Sequence, residues 1–484
     1  MRFLKNNPII VCLTLLFIAG NAFFIFHDNY FLNAIPIALV IMYIAIFHTA
    51  TAFLLTTFLT PLSVNLEEFT DGKIGLFLPT EPILFGLLIW MILMQLKKPF
   101  LTKSFWLHPI TLSITFYLLW MFITSITSSL PMVSFKFLLM KIWYIVPILL
   151  LGFLIFKKEK NIERFIWCYA VGMTIAISYT LIRHAGFGFG EEEGHWVMSP
   201  LFKDHTIYGA AVSISLFFII GLLRHKKHAL LTQLTLYTLL ALTLTGLYFS
   251  YTRGAWVSVA FALIVWAFIH YKIKFKYLFF VGITALVIGL SFWSKIEMEL
   301  NRNKQEHTTT QFDERLKSAA NITSDASNLE RLNRWHAAWK MFKKRPIFGF
   351  GPATYAFQYA PFQNPDDLTI ISTNFGNAGN AHSEYLGPLA EMGILGLLAM
   401  IGFTAALFYS GITLYINLKR FQPENTSIPT LILFLTLAMS TYFLHGLLNN
   451  YLDTDKASIP IYGTAAIFIA QKLKLDKMKK KKKV

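Results

Sequence analysis

The sequence predicts an all-α polytopic membrane protein with about 12 to 14 transmembrane helices and one large helical loop outside the bilayer. Three observations carry that prediction. Hydrophobic residues make up 55% of the 484 and charged ones only 14%, a balance far from that of a water-soluble domain. Apolar runs of about 20 residues, enough to cross a hydrocarbon core of roughly 30 Å as helix, recur along the chain. Strand-type alternation is missing from them, so helices do the crossing.

The charge pattern orients those runs. The net charge of +17 is not gathered into one patch as a nucleic-acid partner would need. It is dispersed over short links at Lys97, Lys98 and Lys103, at 157–160, 224–228 and 272–276, at Lys419 and Arg420, and in the tail 472–484. The positive-inside rule puts these links on the cytoplasmic side, with the tail as an anchor to membrane lipids. Reading back from the tail, spans fall near 457–471, 426–445, 392–418, 275–293, 252–270, 229–250, 205–223, 162–182, 137–156, 107–127 and 80–96. Two more, 8–27 and 31–60, precede them and leave the amino terminus outside despite Arg2 and Lys5. The second is long for one crossing and is expected to break near His48.

The resulting organisation is a membrane region 1–293 with an outward loop at 183–204, a large outward loop 294–391, a carboxy-terminal membrane region 392–471 and the basic tail 472–484. The large loop holds 11 Lys/Arg and 11 Asp/Glu, so it lacks the basic bias of the inner links. Cys12 and Cys168 both lie inside apolar runs, which argues against a disulfide framework or a thiolate zinc site.

Chemistry is expected at the outward boundary. In "YTRGAWVSVA", Arg253 puts a permanent cation at the edge of an apolar run. The large loop opens with a polar stretch, 295–329, followed by an amphipathic helix. In it, Arg331, Trp335, Ala338, Trp339 and Phe342 share one face, and His336, Lys340, Lys343 and Lys344 another. Such a helix is expected to lie on the membrane surface with its tryptophans in the interface. Pro346 ends it, and Gly349-Phe350-Gly351-Pro352 turns the chain. Free amides after that turn are a weak signal for anion binding. Asn380 reads as an N-cap that sets His382 in the first turn of the next helix. Glu384 and Glu391 would sit roughly 160–180° round that helix from His382, so any group that orients its ring comes from elsewhere in the fold.

Three stretches, "YTRGAWVSV", "RLNRWHAAWKMFKKRPIFGFGPATY" and "NAHSEYLGPLAEMGILG", resemble, in that order, the signature segments of the O-antigen ligase and polymerase superfamily. The pattern is an Arg-Gly pair opening a span, Arg-x-x-x-Trp before Pro-x-x-Gly-x-Gly, and Asn-x-His-x-x-x-Leu before Glu-x-Gly. It covers mainly residues 200–400. The resemblance implies a metal-independent glycosyltransferase of the bacterial inner membrane, with no cofactor and with its site facing the periplasm. Such enzymes take a glycan from undecaprenyl diphosphate to an acceptor hydroxyl, on lipid A-core for a ligase or on another lipid-linked glycan for a polymerase.

Under that resemblance Arg253 meets the leaving diphosphate, whose developing charge calls for a cation that cannot lose its proton. His382 activates the acceptor hydroxyl. Arg331, with Arg334 as the alternative, holds the diphosphate or the loop. The family expects a basic residue ahead of the span at 205, and here Lys203 and His205 both stand near that place. Arg183 is a further possibility, though it reads better as an anchor for its span. A rival chemistry would use a divalent metal on Asp453-Thr454-Asp455 or Glu191-Glu192-Glu193. Transport of the lipid-linked glycan is the other alternative, but internal repeats and charges deep within spans are not evident.

Overall fold

The computed structural model describes residues 8–27, 31–70, 75–273, 284, 326–364 and 379–483. Its amino-terminal unit, Met1–Phe53, holds helix α1 (Pro8–Phe26), helix α2 (Ala34–Phe47) and the start of α3 (Thr49–Leu59). The break expected near His48 is present. His48 leaves helical geometry (φ −135°, ψ 50°) while its amide still caps Ile44, and α3 restarts at once with Thr49 Oγ1 donating to Ala45 O over 2.8 Å.

Among its described residues the second unit, Leu54–Val484, is helical apart from its connections and a two-residue antiparallel pairing of β1 (Val64–Asn65) with β2 (Phe77–Leu78). Its long helices are α4 (Thr80–Lys97), α5 (Pro109–Ile126), α6 (Pro131–Ile155), α7 (Glu159–Ala185), α8 (His205–His225), α9 (Leu230–Tyr248) and α10 (Arg253–His270). They continue with α11 (Ala326–Lys344), α12 (Leu386–Phe421), α13 (Ser427–His445) and α14 (Asp455–Lys483). Nine of them among the described residues, all except α11 and α14, are long and apolar enough to cross a membrane, and the chain is an all-α polytopic membrane protein. The span expected at 457–471 lies within α14, and the one at 275–293 falls outside the described residues save Thr284.

Local chemistry sets the helix starts. Proline occupies the first turn of α5 and α6, where its missing N–H costs nothing. His108 accepts from Ile110 N ahead of α5 over 3.3 Å. Asp204 caps α8 through Thr206 N at 2.8 Å and Ile207 N at 3.1 Å.

α8 and α13 are the most enclosed of the spans, and α9 and α10 the least. Tight approaches seat α8: a side chain at Gly209 would press on Thr252 and Ala255 at the start of α10, and one at Gly221 on Phe434, the small-residue contact that membrane helices favour. The outer flanks of α9 and α10 present Leu231, Leu234, Val257, Leu263 and Ile264 to the surroundings, as a lipid-facing surface requires.

The helix ends sort onto two faces. On one, the loop face, Thr80 donates to Asp455 Oδ2 over 2.5 Å, Ser134 to Pro352 O over 2.8 Å, and Thr252 to His205 O over 2.7 Å. On the other, the basic face, Lys474 pairs with Glu159 and Lys226 with Glu163, each at 2.6 Å. The alternation read from the basic links is thus the alternation of the helices themselves.

Candidate active site at the loop face

Arg253 is the first residue of α10. Ahead of it Tyr251 has a positive φ of 49°, its hydroxyl donating to Phe189 O over 2.7 Å, and Thr252 ties α10 to the start of α8. Gly254 lies directly against His445, whose Cε1 would be 3.4 Å from a Cβ there. His205, at the start of α8, stacks on His195 with ring centroids 4.2 Å apart. It is within electrostatic reach of Arg331, Arg253 and Asp204. His445 and His382 are likewise within reach of both Arg331 and Asp204. His205, His382 and His445 thus share one neighbourhood around Arg331 and Asp204, and Arg253 borders it beside His205, with Gly254 against His445.

His382 is not in a helix, contrary to the sequence expectation. α12 starts at Leu386, and Ser383 Oγ is the acceptor for Tyr385 N and Leu386 N, each at 3.3 Å. Asn380 Oδ1 instead accepts from His382 N over 2.9 Å, and His382 adopts a φ of 45°. Neither short polar side chain occupies the N-cap position of α12, which is Tyr385; each closes a turn ahead of the helix instead. A polar group from elsewhere in the fold does approach the ring: the Asn449 side chain, in the loop after α13, lies near enough to act on the His382 imidazole. Burial, then the charges of Arg334 and Arg331, hold the imidazole down at a pKa of about 3, so it is neutral at physiological pH.

The two candidate arginines of α11 separate in role. Arg334 is buried; its Nε pairs with Glu330 at 2.6 Å, its Nη1 donates to Asn380 O over 3.0 Å, and it covers the Tyr359 ring. It pins the strand of chain that delivers His382. Arg331 Nε reaches Leu448 O at 3.3 Å, and its charge is felt by His205, His382, His445 and Tyr451. α11 itself departs from the surface helix expected. Its buried side is Glu330, Asn333, Arg334, Ala337, Ala338 and Met341, while Trp339 is half exposed. The pairing of Glu330 with Arg334 lets a polar stripe be buried that hydropathy alone assigns to water.

Lys203 is exposed, and His205 is the member of that pair that reaches the cluster. Arg183 donates to Tyr179 Oη at 2.8 Å and Val197 O at 3.0 Å, an anchor for its loop. The glycine turn is equally structural. Phe350 N and Gly351 N donate to Ala390 O at 3.2 Å and Glu391 O at 2.8 Å, so those amides do not face an anion. Glu391 Oε1 takes Tyr355 N at 3.0 Å. Gly349 and Gly393, with φ of 66° and 67°, pack backbone to backbone against Glu391 and Ile347. Of the acidic pair considered for a metal, Asp453 pairs with Lys141 at 2.6 Å, and Asp455 accepts the hydroxyls of Ser63 and Thr80, each at 2.5 Å. No group of three His, Cys, Asp or Glu with metal-binding geometry occurs among the described residues.

Residues 238–401 match the family described as O-antigen ligase. This third of the chain is similar to that family. No curated protein matches the chain. The matched region contains Arg253, Arg331, Arg334 and His382, but His205, His445 and Asn449 join the site from outside it. His445 and Asn449 escaped the sequence reading. A single histidine ending an apolar run carries no motif, and Asn449 acts only through a loop whose course Glu384 fixes. Glu384 Oε1 accepts from Tyr442 Oη at 2.5 Å, Tyr451 N at 2.7 Å and Leu452 N at 2.9 Å. Burial, then Asp453, push that carboxyl up to about 7.

Proposed function

We propose that the protein is a metal-independent glycosyltransferase of the O-antigen ligase type, which moves a glycan from undecaprenyl diphosphate to an acceptor hydroxyl on the periplasmic side of a bacterial inner membrane. What supports the reading is the convergence of two arginines with a neutral, oriented histidine where the spans meet the polar loops.

In this reading Arg253 and Arg331 receive the diphosphate. Guanidinium groups keep their protons and offer paired donors to phosphate oxygens, so charge arriving on the leaving group meets fixed cations at the edge of the apolar region. His382 accepts the proton of the acceptor hydroxyl as that oxygen bonds the anomeric carbon and the bond to the diphosphate oxygen breaks, its electron pair departing with the diphosphate. A single displacement inverts the anomeric centre. Asn449 holds the ring for this task. Burial, and then the arginines, make His382 a weak base in the free enzyme. A bound diphosphate offsets those charges and strengthens the base, so donor binding precedes proton transfer. The carboxylates suited to a metal, Asp453 and Asp455, are engaged by Lys141, Ser63 and Thr80, which supports assigning charge stabilisation to the arginines.

The polymerase reading shares this donor site and differs in the acceptor. The test is transfer by the purified protein with a glycan on undecaprenyl diphosphate and either lipid A-core or a second lipid-linked glycan as acceptor. Ligation predicts product on lipid A-core that persists in chelator. Product only on the lipid-linked acceptor selects polymerisation, activity abolished by chelator removes the metal-independent scheme, and no transfer to either acceptor rejects the proposal.

A further inference from the structure

A large cavity in the second unit lies at the basic face, at the far ends of the spans from the site above. It has a volume of about 1300 Å³ and opens between the link at 102–109, the end of α12 and the last turns of α14. Seven lysines line it against one carboxylate, Asp476. Six of them, Lys472, Lys474, Lys477, Lys479, Lys480 and Lys482, follow one another down α14, and Lys157 faces them from the link between α6 and α7. Only part of this charge is balanced: Lys472 pairs with Asp476 and Lys474 with Glu159, each at 2.6 Å, while Lys479 donates to Asn417 over 3.1 Å. The rest of the lining is largely apolar, with Leu107, Phe153, Tyr409, Phe421 and Leu473, and Lys157 and Lys482 lie over the Phe153 and Phe421 rings.

We infer that this cavity is a binding site for an acidic glycerophospholipid of the cytoplasmic leaflet, its phosphate among the lysines of α14 and the start of its acyl chains along Phe153, Tyr409 and Phe421. The combination of a cationic wall and an apolar wall fits a molecule that is itself anionic at one end and apolar at the other. The volume exceeds the roughly 300–1,000 Å³ of an ordinary small-ligand pocket, which favours a lipid over a free phosphate. Like charges also crowd one another along this wall. Lys157 has its pKa lowered by burial and then by Lys477. His108 is held down to about 4 by burial and then by Lys472, with Asp476 opposing. An anion relieves both. The positive-inside rule puts this face at the cytoplasm, whose leaflet carries the acidic lipids that basic clusters recognise.

The test does not depend on glycosyl transfer. Delipidated full-length protein in detergent is offered equimolar phosphatidylglycerol and phosphatidylcholine of matched acyl chains, and bound lipid is counted by native mass spectrometry. The wild-type chain should retain phosphatidylglycerol at least about tenfold over phosphatidylcholine. The triple variant Lys477→Gln, Lys480→Gln, Lys482→Gln should bring that ratio to near one, and arginine at the same three positions should restore it. A control with the same charge change elsewhere on the basic face, Lys97→Gln, Lys98→Gln, Lys227→Gln, should keep it. Equal retention of the two lipids by the wild-type protein overturns the inference without recourse to any variant. Equal loss in the control overturns the location, and displacement of the lipid by inorganic pyrophosphate alone reassigns the cavity to a soluble anion.

Discussion

His382 sits in a left-handed backbone conformation, φ 45°, which costs a non-glycine residue of order 1–3 kcal/mol and persists only where surrounding contacts enforce it. Asn380, Asn449 and the Trp335 indole, at 3.5 Å from His382 O, supply those contacts. Four of the five non-glycine residues with positive φ among the described residues, Phe189, Tyr251, Ala353 and His382, are on the loop face. The imidazole is held to a pKa of about 3, below the ordinary value near 6.5. The neutral, proton-accepting form is therefore present above about 3 and lost only as pH falls through that value. The rate at subsaturating donor and acceptor, which reports the free enzyme, should then stay flat as assay pH is lowered from 7.5 to 5. A fall by half near pH 6.5 would mean an unperturbed histidine. At this scale the sequence showed the residue types but not their geometry. "NAHSE" contains two short polar side chains that read as caps, and nothing local says that the helix will start only at Leu386, after both. Arg331 and Arg334 differ by three positions on one helix, and only the buried Glu330 separates them.

Among the elements, α11 and α12 are joined by a lock that the sequence displays as motif. The Pro346–Gly351 turn lies on the kink of α12 at Gly393, where Ile394 N donates to Pro346 O over 2.9 Å and Trp120 Nε1 donates to Met392 O over 2.8 Å. The spacing of those glycines was legible, yet their purpose was not, since both partners of the lock are backbone. Gly393→Ala places a methyl against Ile347 O at a positive φ and should cost about 1–3 kcal/mol, seen as a lower melting temperature in detergent with the loop more open to protease. The arginines of α11 offer a second contrast. Arg334→Ala strands the buried Glu330 and should destabilise by about 3–5 kcal/mol, reducing the yield of folded protein. Arg331→Ala should leave melting unchanged within about 1 kcal/mol and weaken donor binding. Equal melting temperatures for the two variants would merge the roles assigned here.

For the whole molecule, hydropathy and the basic links were enough to read the helical architecture, because a bilayer leaves the backbone few other solutions. The same periodicity misjudged α11, whose buried stripe is Glu, Asn and Arg as well as Ala and Met. It was also silent on the cavity beside α14, which exists only once α5, α12 and α14 are assembled. The two faces make a topological prediction. In a cysteine-free background, with Cys12 and Cys168 replaced, a cysteine at Lys203 should react with an impermeant maleimide in intact cells whose outer membrane is permeable to it. One at Lys480 should react only after lysis. The reverse pattern would invert the protein in the membrane and move the site to the cytosol.

In the function proposed, Arg253, Arg331 and His382, distant in sequence, act on one reaction. This is tested most directly by glycan transfer from undecaprenyl diphosphate in liposomes holding purified wild-type, Arg253→Ala or His382→Ala protein, each matched for folded amount and melting temperature. Loss of at least about 100-fold in either variant, as for removal of a single group that stabilises transition-state charge or moves a proton, is the predicted result. Wild-type rates in either variant, with its fold intact, would contradict the account.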